Sequence, residues 1–522
     1  MLASQCAAVI AKLKTEAKIP PAKAFVRREF GKPKLILSGI SSRSAAIEIK
    51  LNSIQKLRIM SNVFVRFLIG GLALLVAVGY KNYRDLAAPG KRPDLDNNAY
   101  WGPKLGKQIY KENKAILPYD ITVNPEVIAD LKSQLSRPLK LQEPLEGVGF
   151  EYGFNANELR QVVKYWRDTY LTNWSEREQY LKKLDHFQTE IQGLKIHFIH
   201  AKPSKEAGKQ GKKVLPLLLM HGWPGTVREF YDFIPLLTTP SDKSDYVFEV
   251  IAPSLPGYGW SQGSSKTGFG VAQVAVVMRN LMLRLGFEKF LVQGGDWGSL
   301  IGSNVAALFP ENVLGYHSNM CGNNSPMGNL KLVLSFVFPS WFVDGQFAHF
   351  YRGAGGLFKT IMEEMGYAHI QATKPDTVGN ALIDNPIGLA SYILEKFSTW
   401  TNPAFMALPD GGLTKRFTYD QLLDNVMIYY VTNSITTSMR LYSESMNKAQ
   451  FALAVDSVPI TAKTGCTRFA HEIAHTPDAI LANKFPNLVH STYFEDGGHF
   501  PAFELPEQLY ADFTAFVQKA DL

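Results

Sequence analysis

The sequence predicts an α/β fold with a mainly parallel sheet that helices cover on both faces. Three short apolar runs bounded by Gly and Pro have the composition of buried strands: 214–220 (VLPLLLM), 247–253 (VFEVIAP) and 290–293 (FLVQ). A helical segment at 271–286 separates the second run from the third. Because continuous apolar strands that alternate with helices are typical of parallel sheets, these runs indicate the core of the fold.

The composition supports a folded protein with an unevenly distributed charge. The 522 residues are 46% hydrophobic and 20% charged, which is enough apolar material for a large core and argues against global disorder. The net charge is +8, yet residues 1–59 alone carry +9, from twelve Lys or Arg and three acids. The remaining 463 residues therefore carry −1. A nucleic-acid-binding body is excluded, because it would need uncompensated basic residues.

An apolar run precedes the body of the chain. Residues 67–80 lack charge, and the run extends back to Val63 if Arg66 snorkels to the interface. These eighteen residues approach the roughly 20 that span a bilayer, and aromatic and basic residues follow them (Tyr80, Lys81, Tyr83, Arg84). We therefore expect residues 61–84 to form a membrane anchor helix in contact with lipid.

The basic extension, residues 1–60, bears on topology. Its composition is compatible with a leader, a genuine extension, or translation that starts at Met60. With a start at Met60, the basic residues that follow the anchor place the body in the cytosol by the positive-inside rule. If residues 1–59 are present, their net charge of +9 favours the opposite orientation. With only three cysteines (Cys6, Cys321, Cys466), we expect no disulfide framework, which favours a body that faces a reducing compartment; so few cysteines are also compatible with a lumenal body.

The strongest chemical signal is the sequence GGDWGS at 294–299, directly after the strand FLVQ and before a helical segment. It matches the G-x-nucleophile-x-G turn of hydrolases, with Asp296 in the position where esterases hold serine. Such a turn exposes its central side chain at the carboxyl edge of the sheet, where open α/β folds bind ligands. The alternative is that Asp296 is merely the N-cap of the next helix.

A second signal, HGWPG at 221–225, follows the strand VLPLLLM. In hydrolases with this kind of turn, the loop after that strand lends a backbone N–H to an oxyanion hole. We expect the backbone amides of Trp223 and Trp297 to supply the two donors. His221 is expected to have a structural role in the loop rather than an acid–base role.

A third signal is GGHF at 497–500, between a strand-like run at 489–494 and a final helix at 505–518. A histidine on such a late loop is where the base is expected in the chain order nucleophile, acid, histidine, so His499 is the predicted base. The acid that orients it is harder to choose. Asp496 is too close in sequence and Asp478 lies in a turn, which leaves Asp456, Glu472 and Glu495 open.

From about Phe64 to Leu522, the sequence resembles the microsomal epoxide hydrolases, and most closely their juvenile hormone epoxide hydrolase branch. The stretches that carry the resemblance are WGP (101–103), YGFN (152–155), IHFIHAKP (196–203), HGWPG (221–225), PGYGWS (256–261), LMLRLGF (281–287), QGGDWGS (293–299), HIQATKPDTVG (369–379), YILEKFSTWTN (392–402), DGGL (410–413) and GGHFPAFE (497–504). A lone GGDWG would indicate only a hydrolase of this fold with an aspartate at the turn.

The resemblance implies an α/β-hydrolase fold with an inserted helical cap, and it assigns further residues. Glu472 would be the acid that orients His499, and Tyr367 and Tyr442 in the cap would bind the epoxide oxygen. The implied division is an N-terminal epoxide hydrolase region at 85–205, a core in two parts at 206–330 and 456–522, and a cap at 331–455. The family's usual chain begins close to the anchor, which favours Met60 as the start.

The implied activity is hydrolysis of lipophilic epoxides, juvenile hormone or xenobiotic oxides, to vicinal diols. Asp296 would form an ester that a water activated by His499 hydrolyses, with no metal or organic cofactor. The resemblance and the anchor imply the endoplasmic reticulum or microsomal membrane. Two alternatives are a haloalkane dehalogenase, which the tyrosine pair disfavours, and a catalytically inactive hormone-binding protein, which the complete catalytic set disfavours.

Overall fold

Nine strands form one sheet in the part of the chain that the structure describes. The strands are β1 (Leu117–Pro118), β2 (His186–Ile191), β3 (Leu194–Ala201), β4 (Lys213–Met220), β5 (Tyr246–Pro253), β6 (Phe290–Gly294), β7 (Val313–Ser318), β8 (Lys463–Phe469) and β9 (Leu488–Phe494). Their order across the sheet is β1-β2-β3-β5-β4-β6-β7-β8-β9. From β5 to β9 all neighbours are parallel, whereas β1, β2 and β3 add antiparallel pairs at one edge. The predicted mainly parallel sheet is confirmed.

The computed structural model of the protein describes residues 71, 77–106, 109–205, 207, 210–242 and 244–522. Residues 82–522 form one compact unit, and residues 77–87 are helical. The predicted basic extension at 1–60 and most of the predicted anchor at 61–84 lie outside the described residues. Within those residues, no helix has the length and apolar character that crossing a bilayer requires.

Strand β4 shows how the sequence specifies a sheet that is buried on both faces. Its alternating side chains enter two separate apolar clusters: Leu218 and Met220 belong to one, and Leu217 and Leu219 to the other. All four are fully buried. Because successive side chains of a strand point to opposite faces, a continuous leucine run is what a doubly covered strand requires.

Helices cover the two faces as the apolar clusters require. Outside the insertion described next, and apart from the helical residues 77–87, the described part of the chain contains α1 (Pro125–Leu135), α2 (Ala156–Tyr165), α3 (Trp174–Leu181), α4 (Phe233–Thr238), α5 (Val271–Arg284), α6 (Asp296–Leu308), α16 (Asp478–Leu481), α17 (Pro501–Glu504) and α18 (Pro506–Ala520). α5 and α6 supply side chains to the cluster that contains Leu218, and α4 and α18 supply side chains to the cluster that contains Leu217. The predicted helices at 271–286 and 505–518 are confirmed within a few residues.

Between β7 and β8 the chain leaves the sheet and is helical, in agreement with a helical insertion. The helices there are α7 (Pro326–Val337), α8 (Gly353–Glu364), α9 (Gly366–Thr373), α10 (Pro375–Leu382), α11 (Pro386–Thr399), α12 (Leu413–Arg416), α13 (Tyr419–Thr432), α14 (Ile435–Ser445) and α15 (Lys448–Ala452). A buried ion pair joins this insertion to the core, since Arg228 Nε donates to Asp424 Oδ2 at 2.8 Å.

The hairpin of β2 and β3 is not among the elements that the sequence predicts. The two strands pair from His186–Ile199 to Ile191–Leu194, around a turn at Gln192 and Gly193. Both turn residues have positive φ, 53° and 82°. Gln is not a residue that favours this backbone region, and a Gln-Gly turn lacks the Asn-Gly sequence that marks many hairpins. The hairpin therefore has no clear signal in the sequence.

The expectation that the cysteines form no disulfide is wrong. Cys321, just after β7, is bonded to Cys466 in β8, and both residues are buried. The pair links two parts of the chain that are 145 residues apart, with the helical insertion between them. Three cysteines with no local spacing pattern gave no sign of this pairing.

Candidate active site

Asp296 lies at a sharp turn at the junction of β6 and α6. Its φ of +46° is a backbone conformation that non-glycine residues rarely adopt. The glycine at 298 is required there, because a Cβ on it would overlap the carbonyl oxygen of Met220. The alternative N-cap role is not observed, since Gly295 precedes the helix as its N-cap and Asp296 is its first residue. The carboxylate instead projects from the carboxyl edge of the sheet.

The loop after β4 meets the Asp296 carboxylate. The Trp223 backbone N–H donates to Asp296 Oδ1 at 2.8 Å. A Cβ on Gly222 would overlap the same carboxylate, so only glycine permits this approach. Trp297 follows Asp296 in the first turn of α6, where backbone N–H groups have no partner within the helix. The Trp223 amide thus contacts the carboxyl group, and the Trp297 amide follows that group directly along the chain.

His499 stands between two carboxylates. Its Nδ1 lies 2.7 Å from Glu472 Oε1, and its Nε2 lies 3.4 Å from Asp296 Oδ2. Burial alone would lower the pKa of His499, but the charge of Glu472 and the contacts with Asp296 outweigh it and raise the pKa well above its ordinary value. The imidazole is therefore held in its charged form while Asp296 is a free carboxylate.

Of the acids that spacing left open, Glu472 contacts His499 and the others have different partners. Glu472 is 1% exposed and also accepts the Ile473 N–H at 2.7 Å. Glu495 lies 3.1 Å from His349, and Asp456 is buried near Lys484. Outside that set, Asp496 pairs with Arg416 and Asp478 with Arg468.

The two tyrosines implied by the family resemblance lie together above the turn. Tyr367 is the second residue of α9 and Tyr442 lies in α14, and their rings are 5.9 Å apart. Tyr367 stacks on the Trp223 indole at 5.0 Å, and Tyr442 packs edge-on against Trp297 at 4.7 Å. Burial, together with the charge of Asp296, raises the pKa of both phenols well above the ordinary value, so both remain protonated donors.

The Tyr442 hydroxyl is buried and has no hydrogen-bond partner of ordinary geometry among the described residues. Leaving a buried hydroxyl without a partner costs free energy, which is typical of a group that awaits a ligand. A small ligand oxygen held between the two phenols would supply the missing acceptor.

Two residues that the sequence analysis did not single out complete the surroundings of His499. The Trp400 ring lies 5.0 Å from the Tyr367 ring and 4.9 Å from the His499 ring. The backbone carbonyl oxygen of Trp400 accepts the backbone N–H of His499 at 2.9 Å. Arg352 Nη2 donates to the Glu472 carbonyl oxygen at 2.6 Å, which ties the acid's loop to the helical insertion. Neither has a distinctive sequence context, because each acts through a contact with a distant segment.

His221 has the structural role that the sequence predicted. Its Nδ1 lies 3.0 Å from the Gly222 carbonyl oxygen, and its Nε2 accepts the Leu255 N–H at 3.2 Å. Burial lowers the pKa of His221 to about 4, so the ring is neutral. His221 therefore links the loop after β4 to the loop after β5 through hydrogen bonds.

The arrangement contains the groups needed for nucleophilic attack on carbon and for hydrolysis of the product ester. It has a carboxylate at a strained turn, a histidine oriented by a second carboxylate, two phenol donors and two backbone amides. Within the described residues, no group of three or more His, Cys, Asp or Glu side chains is placed to hold a metal ion.

Comparisons with known proteins identify the family of this chain. Residues 116–230 match the family model "Epoxide hydrolase N terminus", and residues 216–447 match "alpha/beta hydrolase fold". Juvenile hormone epoxide hydrolase 1 of Ctenocephalides felis is 48% identical over 86% of this chain and 94% of its own. Epoxide hydrolase 1 of Sus scrofa is 42% identical over 85% and 98%. The crystal structure of juvenile hormone epoxide hydrolase from Bombyx mori superposes with a TM-score of 0.79, at 46% identity over 82% and 99%.

The fold and the comparisons define an α/β-hydrolase whose central turn carries an aspartate. Within that class, the chain belongs to the microsomal epoxide hydrolase family, and its close relatives include juvenile hormone epoxide hydrolases. It is an epoxide hydrolase of the microsomal or juvenile hormone type.

Proposed function

We propose that this enzyme converts lipophilic epoxides to vicinal diols in two steps, through an alkyl ester on Asp296. Its substrates would be juvenile hormone, xenobiotic oxides or both. The observation that carries the proposal is the position of the Asp296 carboxylate, with the His499–Glu472 pair on one side and the rings of Tyr367 and Tyr442 packed over the flanking tryptophans. The relatives named as juvenile hormone epoxide hydrolases support the substrate class.

In the first step, the Asp296 carboxylate attacks a ring carbon and the carbon–oxygen bond of the epoxide breaks. The departing oxygen carries developing negative charge, which is what makes an epoxide unreactive at neutral pH. Hydrogen bonds from Tyr367 and Tyr442 would strengthen as this charge develops, and one phenol would supply its proton. The product is a β-hydroxyalkyl ester of Asp296.

In the second step, water attacks the carbonyl carbon of the ester. Formation of the ester removes the negative charge of Asp296 that helps to keep His499 protonated, so the pKa of His499 falls. The ring then gives up its proton, which restores the phenol that was deprotonated in the first step, and the neutral ring can accept a proton from water. Glu472 holds the ring through Nδ1 and leaves Nε2 as the acceptor. The amides of Trp223 and Trp297 would stabilise the oxyanion, and the diol leaves with a proton returned from His499. The carboxyl group left on Asp296 then loses its proton to His499, which restores the starting state.

The tyrosine pair distinguishes this reaction from dehalogenation. A departing alkoxide needs donors and eventually a proton, whereas a halide needs neither the proton nor a pair of phenols. A purely ligand-binding role would leave the His499–Glu472 pair without a purpose. Turnover of a hydrophobic epoxide to its diol therefore separates the proposal from both alternatives.

The substrate preference is tested by comparing turnover of juvenile hormone with turnover of an aryl oxide such as styrene oxide. We expect diol from both, with the larger kcat/KM identifying the preferred class. The ester group of juvenile hormone should survive, because attack of Asp296 on an epoxide carbon leaves that ester intact. Loss of the ester with the epoxide unopened would contradict the proposal.

We further propose that residues 61–84 anchor the enzyme to the endoplasmic reticulum membrane, on the strength of the apolar run and its aromatic and basic flank. Full-length enzyme should remain in the membrane pellet after alkaline carbonate extraction, whereas the double variant Leu74→Asp, Leu75→Asp should be released, because each charge disfavours insertion by about 3 kcal/mol. Equal release of both proteins would contradict an anchor.

The side of the membrane on which the body lies has two opposing indications. Charge counted from Met60 favours the cytosol, whereas the Cys321–Cys466 disulfide is typical of an oxidising lumen. We propose that the body lies in the cytosol. We also propose that the chain is divided into regions at 85–205, 206–330, 331–455 and 456–522. Protease treatment of sealed microsomes tests the topology, since a cytosolic body is digested and a lumenal one is protected.

A further inference from the structure

A small cavity adjoins the reacting groups on a side that neither Tyr367 nor Tyr442 lines. The space that a water-sized sphere can occupy in it is about 20 Å³, which is enough for a water molecule. Asp296 and His499 line the cavity together with Asn319 and Glu229. A water molecule in this cavity would thus lie apart from the phenol side of the site, where an epoxide would bind.

Three polar groups that line this cavity can contact a water molecule. His499 Nε2 and Asn319 Nδ2 are both buried and make no hydrogen bond of ordinary geometry among the described residues, although His499 Nε2 lies 3.4 Å from Asp296 Oδ2. Glu229, which is 8% exposed, lines the same cavity. A buried water molecule usually makes two to four hydrogen bonds to groups of this kind.

The local backbone is arranged to bring Glu229 to the cavity. Glu229 lies in the 3-10 helix Val227–Phe230, directly after the HGWPG loop, and its side chain folds back over that loop. A Cβ on Gly225 would overlap the Glu229 carboxyl, so glycine at this position makes the approach possible. The second glycine of HGWPG is therefore explained by Glu229.

Burial favours a neutral carboxyl group on Glu229. It raises the pKa of Glu229 to about 8, the positive charge of His499 opposes this shift, and the charges of Asp296 and Glu504 add to it. Tyr429 of α13 is a further titratable neighbour. A neutral carboxyl can still accept a hydrogen bond from water through its carbonyl oxygen.

We propose that Glu229 positions the water that hydrolyses the Asp296 ester. One O–H of this water would donate to the Glu229 carboxyl and the other to His499 Nε2, while Asn319 Nδ2 donates to the water oxygen. A lone pair is then left to form the bond to the ester carbonyl carbon. His499 takes the proton, the acyl C–O bond breaks, and the diol oxygen receives the proton.

The inference rests on the two-step function proposed above and is tested by measuring the two steps separately, by stopped-flow and quenched-flow kinetics on full-length enzyme with styrene oxide. In Glu229→Leu, ester hydrolysis should slow by about 10- to 100-fold, because a misplaced nucleophile loses its near-attack geometry. Ring opening should stay within about threefold, so ester accumulates. Glu229→Gln keeps a carbonyl oxygen and should retain ester hydrolysis within about threefold.

The control is Glu158→Leu, which removes another buried glutamate, one that is hydrogen-bonded to Tyr419 away from the site. Both rate constants should be unchanged in it. If Glu229→Leu does not fold, Gly225→Ala tests the same point, since it displaces the Glu229 carboxyl and should also slow ester hydrolysis selectively. A Glu229→Leu or Gly225→Ala enzyme that hydrolyses the ester at the wild-type rate would overturn the proposal, as would an equal loss in both steps.

The failure of this proposal is distinguishable from failure of the two-step function. If His499→Gln accumulates ester and the Glu229 variants do not, the mechanism stands and the role of Glu229 is wrong. If no variant, including His499→Gln, forms an ester, the two-step function itself is wrong.

Discussion

The Nε2 atom of His499 lies 3.4 Å from Oδ2 of Asp296. This contact joins the proposed nucleophile of the first step to the proposed base of the second. While the aspartate is a free anion, this contact adds to the stronger effect of Glu472 and raises the pKa of the imidazole. The contribution of Asp296 is lost when the aspartate becomes an ester. The same pair of side chains can therefore act in sequence.

The first prediction concerns the pKa of His499. In Asp296→Asn, the pKa should fall, because a neutral amide replaces one of the two carboxylates that favour the imidazolium form. Glu472 remains, so the pKa should not fall as far as burial alone would take it. NMR titration of ¹⁵N-labelled histidine rings measures this, with His499→Gln used to assign the resonance. An unchanged pKa would show that Asp296 and His499 are not electrostatically coupled.

The second prediction is that His499→Gln traps the ester. Without the base, hydrolysis should slow by about 10²- to 10⁴-fold, whereas attack by Asp296 needs no proton acceptor and continues. Mass spectrometry of the intact protein after mixing with a slow epoxide should show the added mass of one substrate. His349→Gln is the control, since that histidine is exposed and pairs with Glu495. Absence of the adduct would contradict the role of His499.

The third prediction separates the tyrosines from the histidine. Tyr367→Phe and Tyr442→Phe should each slow ring opening by about 100-fold, the usual effect of deleting one donor to a developing oxyanion, and leave ester hydrolysis nearly unchanged. Tyr392→Phe is the matched control: its ring also packs against Trp223, but its hydroxyl accepts from Gln371. Rapid-mixing kinetics of ester formation measures the effect. A loss confined to ester hydrolysis would show that the phenols do not act on the epoxide oxygen.

The fourth prediction concerns stability. Replacing both Cys321 and Cys466 by Ser should lower the free energy of unfolding by about 2–4 kcal/mol, because the cross-link restricts a long loop in the unfolded chain. Urea denaturation measures the change, and a reducing agent should destabilise the wild-type protein but not the double variant. If the double variant is as stable as the oxidised wild type, the disulfide does not contribute.

The sequence predicted the parts of the fold and site that lie in local patterns. Asp296 and His499 were identifiable because each follows a strand and precedes a helix within a glycine-rich turn, and β4, β5 and β6 were identifiable from continuous apolar runs. The β2–β3 hairpin was missed because its turn is Gln-Gly and its strands mix polar and apolar residues.

Other features depend on contacts between distant segments, which spacing does not encode. Glu472 was one of three open candidates until the family resemblance selected it, since only the folded chain brings its carboxylate to His499. Trp400 and Glu229 gave no signal, because each is an ordinary buried residue until its neighbour is known. The Cys321–Cys466 disulfide was missed for the same reason.

The central claim is that Asp296, and not water, attacks the epoxide. A single turnover in water labelled with ¹⁸O tests it most directly, with enzyme in excess over substrate, analysis of the diol by mass spectrometry and analysis of the peptide that contains Asp296. Attack by Asp296 predicts an unlabelled diol and ¹⁸O in the Asp296 carboxylate. A diol that carries ¹⁸O from the first turnover, with unlabelled Asp296, would contradict it.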